Sequence, residues 1–249
     1  MNILGLVGYP PLGRSRSPEL FRHFFERDGA KGWEYKLFPM EDVSGLRAWL
    51  MDHPEVIGLN VTIPHKEAVI PLLDALDESA RDTGAVNCIK VSRTGGLFLK
   101  GYNTDIVGFA AMLDNHLQGN DIQALILGTG GGSKAVQYVL RSRGIPFVTV
   151  SRSSKADLLY LDVDEDLLKQ YHLIINTTPL GMPGIHEASV PFLSSQIKCI
   201  GPEHICLDLV YNHGITPFTQ LCSAQGAAAE SGMLMLEAQA EAAWKIFQE

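Results

Sequence analysis

Ile122-Gln-Ala-Leu-Ile-Leu-Gly-Thr-Gly-Gly-Gly-Ser-Lys134 is the stretch that decides the fold. An apolar strand over 122–127 opens directly into Gly128-x-Gly130, and a helical pattern follows to about residue 142. A dinucleotide pyrophosphate needs that order of strand, glycine turn and helix. The first glycine makes the tight turn, the second lets the backbone approach the phosphates, and the helix N-terminus supplies N–H donors and positive dipole. Gly128, Thr129, Gly130, Gly131 and Gly132 are therefore candidate phosphate-binding residues. Ser133 occupies the third fingerprint position in place of Gly or Ala, so the match is incomplete and a purely structural turn is the alternative.

The end of the next strand discriminates between cofactors. NAD sites usually place Asp or Glu about 20 residues beyond the glycines, where it holds the ribose hydroxyls. Ser151-Arg-Ser-Ser-Lys155 stands there instead. A carboxylate would repel a 2′-phosphate, whereas Arg152 and Lys155 with the hydroxyls of Ser151, Ser153 and Ser154 suit one. Arg152 also suits stacking on an adenine face. The pattern points to NADP, against the plainer reading of a solvated basic turn.

Outward from this loop, strand-like and helix-like segments alternate along the chain. Strands are expected at 3–7, 35–38, 56–63, 87–91, 96–100, 147–150, 173–176 and 205–209. Helices are expected at 18–27, 43–52, 66–73, 107–117 and 232–247. The alternation reads as α/β with a mainly parallel N-terminal sheet, followed by a Rossmann-type C-terminal domain. Periodicity leaves open whether the Ala-, Met- and Leu-rich final helix packs on the second unit or returns to the first.

Composition sets the classes that can be set aside. With 249 residues and 46% hydrophobic content, the chain has the length for one large domain or two ordinary ones. A net charge of −8 gives no electrostatic footprint for nucleic acid or an anionic membrane. No apolar run reaches the roughly 18–20 residues needed to span a bilayer. Met1-Asn-Ile-Leu lacks the charged start of a signal peptide and reads as a strand. Cys88, Cys199, Cys206 and Cys222 have no metal spacing and read as reduced thiols of a cytosolic protein. The eight histidines form no ligand cluster, so no metal site is expected.

Two further segments carry chemistry. Val56-Ile-Gly-Leu-Asn-Val-Thr-Ile63 is a β-branched run stopped by Pro64, which puts Lys66 just beyond a strand end. Asn103-Thr-Asp105 likewise leaves an apolar strand for a polar turn. Ligands of open α/β sheets gather outside the carboxyl ends of strands, where Lys66 and Asp105 would meet as an acid/base pair. The plainer reading is a surface ion pair worth little to stability.

Taken together these residues resemble the shikimate dehydrogenase family. The resemblance runs collinearly over nearly the whole chain. Its motifs are Ser15-x-Ser17-Pro18, Asn60-Val-Thr-x-Pro-x-Lys66, Gly84-Ala-Val-Asn87 and Gly101-x-Asn-Thr-Asp105-x-x-Gly108. The glycine loop follows, then Asn176-x-Thr-x-x-Gly-Met182, Asp208-x-x-Tyr211 with Thr216-Pro217, and 232–239. The resemblance implies NADP-dependent reduction of 3-dehydroshikimate to shikimate on the route to chorismate and aromatic amino acids. It implies Lys66 and Asp105 as the catalytic pair, with the active site in a cleft between two domains. A substrate domain over 1–104, completed by 232–249, and an NADP domain over 105–231 are expected.

By the same resemblance Ser15, Ser17, Asn60, Thr62, Lys66, Asn87, Asp105, Tyr211 and Gln239 contact substrate. Serine hydroxyls suit the carboxylate, and neutral donors and acceptors suit the ring hydroxyls. Ser17 also reads as an N-cap with Pro18 at the first helical position. Gln239 alone would read as a polar surface position; the family returns its last helix to the first domain and points this residue at substrate. Asn176, Thr177, Leu209 and Gly232 are implied at the nicotinamide end. A lysine, with an ordinary pKa of about 10.4, suits proton donation to a developing alkoxide better than removal of a proton at neutral pH. The residues leave open which role dominates.

Several positions depart from the family pattern, among them Arg14 in place of the usual His, Gly132 in place of Ala, and Ser151 in place of Asn. An extra cation at Arg14, beside the carboxylate-binding serines, is expected to alter acid-substrate affinity, tested by KM in Arg14→His. Alternative readings are a quinate/shikimate or aminoshikimate dehydrogenase of the same superfamily, or a non-catalytic metabolite-binding regulator. Oligomeric state is left between monomer and homodimer.

Overall fold

A computed structural model describes residues 1–9, 12–117, 122–184, 186–192, 194–211 and 214–249. Two compact units emerge, Met1–Gly108 with Glu237–Glu249, and Phe109–Leu236.

The first unit contains, in chain order, β1 (Asn2–Gly8), α1 (Ser17–Arg27), β2 (Trp33–Pro39), α2 (Leu46–Asp52), β3 (Val56–Val61), β4 (Ala75–Leu76), α3 (Glu78–Thr83), β5 (Cys88–Ser92), β6 (Phe98–Tyr102) and the start of α4 (Asp105–Asp114). Its described strands form one sheet in the order β2-β1-β3-β5-β6-β4. The expected mainly parallel arrangement is found, with β5 as a reversed strand against both β3 and β6. The short connection after β5 contains Gly95 and Gly96, both at positive φ, and a turn this tight joins only antiparallel strands. The reversal has a consequence for chemistry. The start of β5 lies at the same sheet edge as the ends of β3 and β6, with Asn60 opposite Cys88 and Cys88 opposite Tyr102.

Both faces of this sheet are covered. Ile3, Val7, Leu59 and Val61 pack with Leu46 and Leu50 of α2 on one side. Leu4 and Cys88 pack with Phe21, Phe24 and Phe25 of α1 on the other. Full burial of such side chains contributes roughly 1.5–3 kcal/mol each. The helix expected over 66–73 is absent. Turns and a single 3-10 turn, Ile70–Leu72, take its place, because Pro71 has no N–H to give a helical ladder.

The second unit runs β7 (Ala124–Leu127), α5 (Gly131–Ser142), β8 (Phe147–Ser151), β9 (Leu158–Leu159), α6 (Glu165–Gln170), β10 (Leu173–Asn176), α7 (Ser194–Ile197), β11 (Ile205–Asp208), α8 (Pro217–Ala224) and β12 (Ala228–Ser231). Its described strands are parallel throughout, in the order β12-β11-β10-β7-β8-β9. Numbered from β7 that is 3-2-1-4-5-6 read from the other edge, the Rossmann order, whose switch point falls between β7 and β10. The last helix, α9 (Met233–Gln248), belongs to the first unit from Glu237 onward. Among the described residues no helix is long and apolar enough to cross a membrane.

Candidate active site

The pair expected from sequence forms. Lys66 Nζ donates to Asp105 Oδ2 at 2.5 Å, with side chains 18% and 6% exposed. Two backbone features deliver it. The Lys66 carbonyl accepts from Val86 N at 2.7 Å, which ties the segment after β3 to the approach to β5. Asp105 opens α4, and its own N–H donates to Asn103 Oδ1 at 3.1 Å. Asn103 is itself locked, its amide donating to Thr83 Oγ1 at 3.0 Å and the Ala85 carbonyl at 2.9 Å.

Asn87 joins the pair from the position just before the reversed strand. Its Oδ1 accepts from Thr104 N at 2.7 Å. A backbone N–H can only donate, so the amide orientation is settled and Nδ2 faces the carboxylate. That nitrogen donates to Asp105 Oδ1 at 2.9 Å, so both carboxylate oxygens are held. Nδ2 also approaches Thr104 Oγ1 at 2.9 Å and Gln239 Oε1 at 3.3 Å. Lys66, Asn87, Thr104, Asp105 and Gln239 thus form one buried or half-buried network within the first unit.

Two other substrate candidates, Asn60 and Thr62, stand at the same end of the sheet. Asn60 is next to last in β3 and 6% exposed, its Nδ2 3.4 Å from the Asn87 carbonyl. Thr62 follows β3, and its N–H donates to the Val7 carbonyl at 2.9 Å. Ser15 and Ser17 bond each other, Oγ to Oγ, at 3.2 Å. The N-cap expectation for Ser17 fails: Arg16 is the cap residue, and Ser17 is the first helical residue, its N–H donating to Ser15 Oγ at 3.2 Å. Arg14 is exposed in the 3-10 turn Leu12–Arg14 before these serines. Tyr211 lies just beyond β11 in the second unit, half-buried.

In the second unit the glycine loop sits at the sheet's switch point. Gly128 has φ +113°, and a Cβ there would lie 2.6 Å from Thr177 Oγ1. Thr177 in turn donates its N–H and hydroxyl to the Leu127 carbonyl at 2.9 and 2.8 Å. Thr129 and Gly130 lead into α5 with no side-chain cap at Gly130. The first N–H groups of α5, beginning at Gly131 and Gly132, have no intrahelical acceptor and suit a phosphate. Ser133 is fully buried and accepts from Gln137 Nε2 at 3.1 Å, so the missing third glycine is replaced by a packed hydroxyl.

β8 ends at Ser151, whose Oγ accepts from Ser153 N at 3.0 Å and closes a small turn. Arg152, Ser153 and Lys155 are exposed on that turn. Neither an Asp nor a Glu stands at the strand end, and the residues present fit a 2′-phosphate. Leu209 follows β11, and a Cβ on Gly232 would lie 2.4 Å from its carbonyl oxygen. Asn176, fully buried, donates to Asp208 Oδ1 at 2.8 Å. Among the described residues no group of three or more His, Cys, Asp or Glu could hold a metal ion. An open cavity of about 600 Å³ in the first unit borders this network at Asn103 and Thr104 and is also lined by Asp77, Ser79 and the Glu241 and Lys245 side of α9.

Sequence reading missed three groups that shape these sites. Tyr35 bonds Asn60 across the sheet, Asn103 locks the turn before Asp105, and the Asp208 carboxylate gathers the turns beyond β10 and β11. Asn103 and Asp208 stand inside recognisable motifs and carried a signal; Tyr35 carried none.

Comparison with known proteins agrees with this geometry. Residues 6–89 match the shikimate dehydrogenase substrate binding domain. A shikimate dehydrogenase (NADP(+)) from Oleidesulfovibrio alaskensis is 36% identical, with 99% of this chain and 89% of the relative aligned. The chain belongs to the shikimate dehydrogenase family. Among solved structures, shikimate dehydrogenase 1 from Peptoclostridium difficile superposes with a TM-score of 0.84 at 34% identity, covering 100% of this chain and 92% of that one. Quinate dehydrogenase from Corynebacterium glutamicum, solved with NAD, superposes with a TM-score of 0.82 at 26% identity, covering 99% and 93%. Members of this fold thus differ in substrate and cofactor, and this chain's own residues must decide both.

Proposed function

We propose that this chain is an NADP-dependent shikimate dehydrogenase that reversibly reduces 3-dehydroshikimate to shikimate, in a reducing cytosolic compartment compatible with its free cysteines. The observation that carries the reading is the Lys66–Asp105 pair, fixed through Asn87 at the edge where β3, β5 and β6 meet. NADPH, when bound, supplies a hydride to the carbonyl carbon.

The protein's part is positional and protic. Lys66 Nζ donates a proton to the oxygen that becomes the C3 hydroxyl, and the ammonium stabilises negative charge as it builds there. Asp105 holds that ammonium in place while Asn87 keeps the carboxylate from rotating. Asn60, Thr62, Asn87, Gln239 and Tyr211 offer neutral donors and acceptors to ring hydroxyls, and Ser15 and Ser17 receive the carboxylate. In the second unit, Gly128, Gly130, Gly131 and Gly132 admit the pyrophosphate. Arg152 and Lys155 pair with the 2′-phosphate, which an NAD-type carboxylate would repel. Thr177, Leu209 and Gly232 border the nicotinamide.

The quinate reading is kept as an outcome because a quinate dehydrogenase shares the fold. The test is NADPH consumption with 3-dehydroshikimate, beside NADH and beside 3-dehydroquinate. Turnover favouring NADPH and 3-dehydroshikimate by about a hundredfold in kcat/KM is expected. Preference for NADH or 3-dehydroquinate moves the chain to the quinate branch. No turnover by folded protein overturns the catalytic reading in favour of a metabolite-binding regulator.

A further inference from the structure

Tyr35 lies two strands away from Asn60, yet the two side chains meet. Tyr35 of β2 is registered with Leu4 of β1, and Asn60 of β3 with Leu6. Residues at i and i+2 of a strand share a face, so Tyr35, Leu4, Leu6 and Asn60 all project to the side covered by α1. Phe21 of α1 stacks on the Tyr35 ring, centroids 4.3 Å apart and planes within 22°. Held between helix and sheet, the ring carries its hydroxyl diagonally over β1 to within 2.9 Å of Asn60 Oδ1.

The direction of this bond follows from the other end of the amide. Asn60 Nδ2 faces the Asn87 carbonyl at 3.4 Å, and a carbonyl can only accept. The nitrogen therefore belongs on that side and the oxygen on the tyrosine side, which makes the phenol the donor. Flipping the amide would set oxygen against oxygen at Asn87. With Oδ1 engaged by Tyr35 and one N–H aimed at Asn87, what Asn60 offers a ligand is its second N–H, a donor.

We infer that Tyr35 is a positioning residue for substrate: its hydroxyl fixes the Asn60 amide so that a donor, not an acceptor, meets a ring hydroxyl oxygen. This rests on the reading of Asn60 as a substrate-binding residue. The bond from Tyr35 acts on Asn60, so its contribution is assigned to substrate affinity.

Tyr35→Phe removes one oxygen and keeps the ring and its stack on Phe21. Loss of one neutral hydrogen bond is expected to raise KM for 3-dehydroshikimate about three- to tenfold. The kcat and the KM for NADPH are expected to stay within about twofold. A merely structural role would lower the thermal midpoint and leave this split absent. In an Asn60→Ala background Tyr35→Phe is expected to add nothing, because the amide it orients is gone. An unchanged KM in Tyr35→Phe, or an equal rise in both backgrounds, overturns the inference while leaving the active site standing. No effect of Asn60→Ala itself would instead remove the reading of Asn60 on which the inference depends.

Discussion

Asp208 shows what burial does to a single group. The residue is fully enclosed, and its carboxylate accepts from Thr216 Oγ1 at 2.5 Å, Asn176 Nδ2 at 2.8 Å and Val210 N at 3.0 Å. Burial raises its pKa from 3.8 to about 7, against the opposing pull of those three donors. The folded chain then holds the proton more tightly than the unfolded chain, so stability from this group is complete below about pH 4 and is lost as pH rises toward 7. The exposed carboxylates Asp42, Asp74 and Asp157, lowered first by hydrogen bonds from Ser44, Arg47 and Thr149, act in the opposite sense and only at lower pH. The difference in thermal midpoint between the wild type and Asp208→Asn is therefore expected to shrink as pH rises from 5 to 7.5. A difference that does not change with pH would refute the assignment. Composition and spacing placed Lys66 and Asp105 at strand ends because a β-branched run and a proline mark where a strand stops. They gave no sign of Tyr35, whose partner stands 25 positions away across two ladders.

At the scale of elements, the turn beyond β11 depends on one missing side chain. Gly232 N–H donates to the Val210 carbonyl at 3.0 Å, and a Cβ on Gly232 would lie 2.4 Å from the Leu209 carbonyl oxygen and 3.1 Å from that of Asp208. Gly232→Ala is expected to displace this turn and raise the Kd for NADP at least about tenfold, read by isothermal titration. Unchanged affinity would separate this turn from the cofactor. The strands of the parallel sheet were legible as short apolar runs. β12 was not: Ala228-Ala-Glu-Ser231 has little strand propensity, and pairing with β11 decides its conformation. The helix expected over 66–73 followed its apolar periodicity and yielded to Pro71, which shows backbone chemistry overriding pattern.

At the scale of the molecule, α9 links the end of the chain to its beginning. Trp244 is 1% exposed, 4.9 Å from the Trp33 ring and 5.2 Å from that of Phe25, and its Nε1 donates to Asp28 Oδ2 at 2.7 Å. Five positions earlier on the same helix, Gln239 reaches Asn87. Periodicity along one helix cannot say which distant surface it covers, so this docking was legible only through the family resemblance. Trp244→Ala is expected to cost the first unit about 3–5 kcal/mol and to weaken shikimate binding, while NADP affinity in the second unit holds. Parallel loss of both affinities would contradict that division of labour. In the proposed reaction Lys66 performs the proton chemistry of NADPH-dependent 3-dehydroshikimate reduction. The most direct test of that role is kcat in Lys66→Ala at saturating NADPH, with shikimate affinity measured on the same protein. A fall of about a thousandfold in kcat with binding retained within about tenfold is the predicted result. Turnover near the wild-type rate would contradict it.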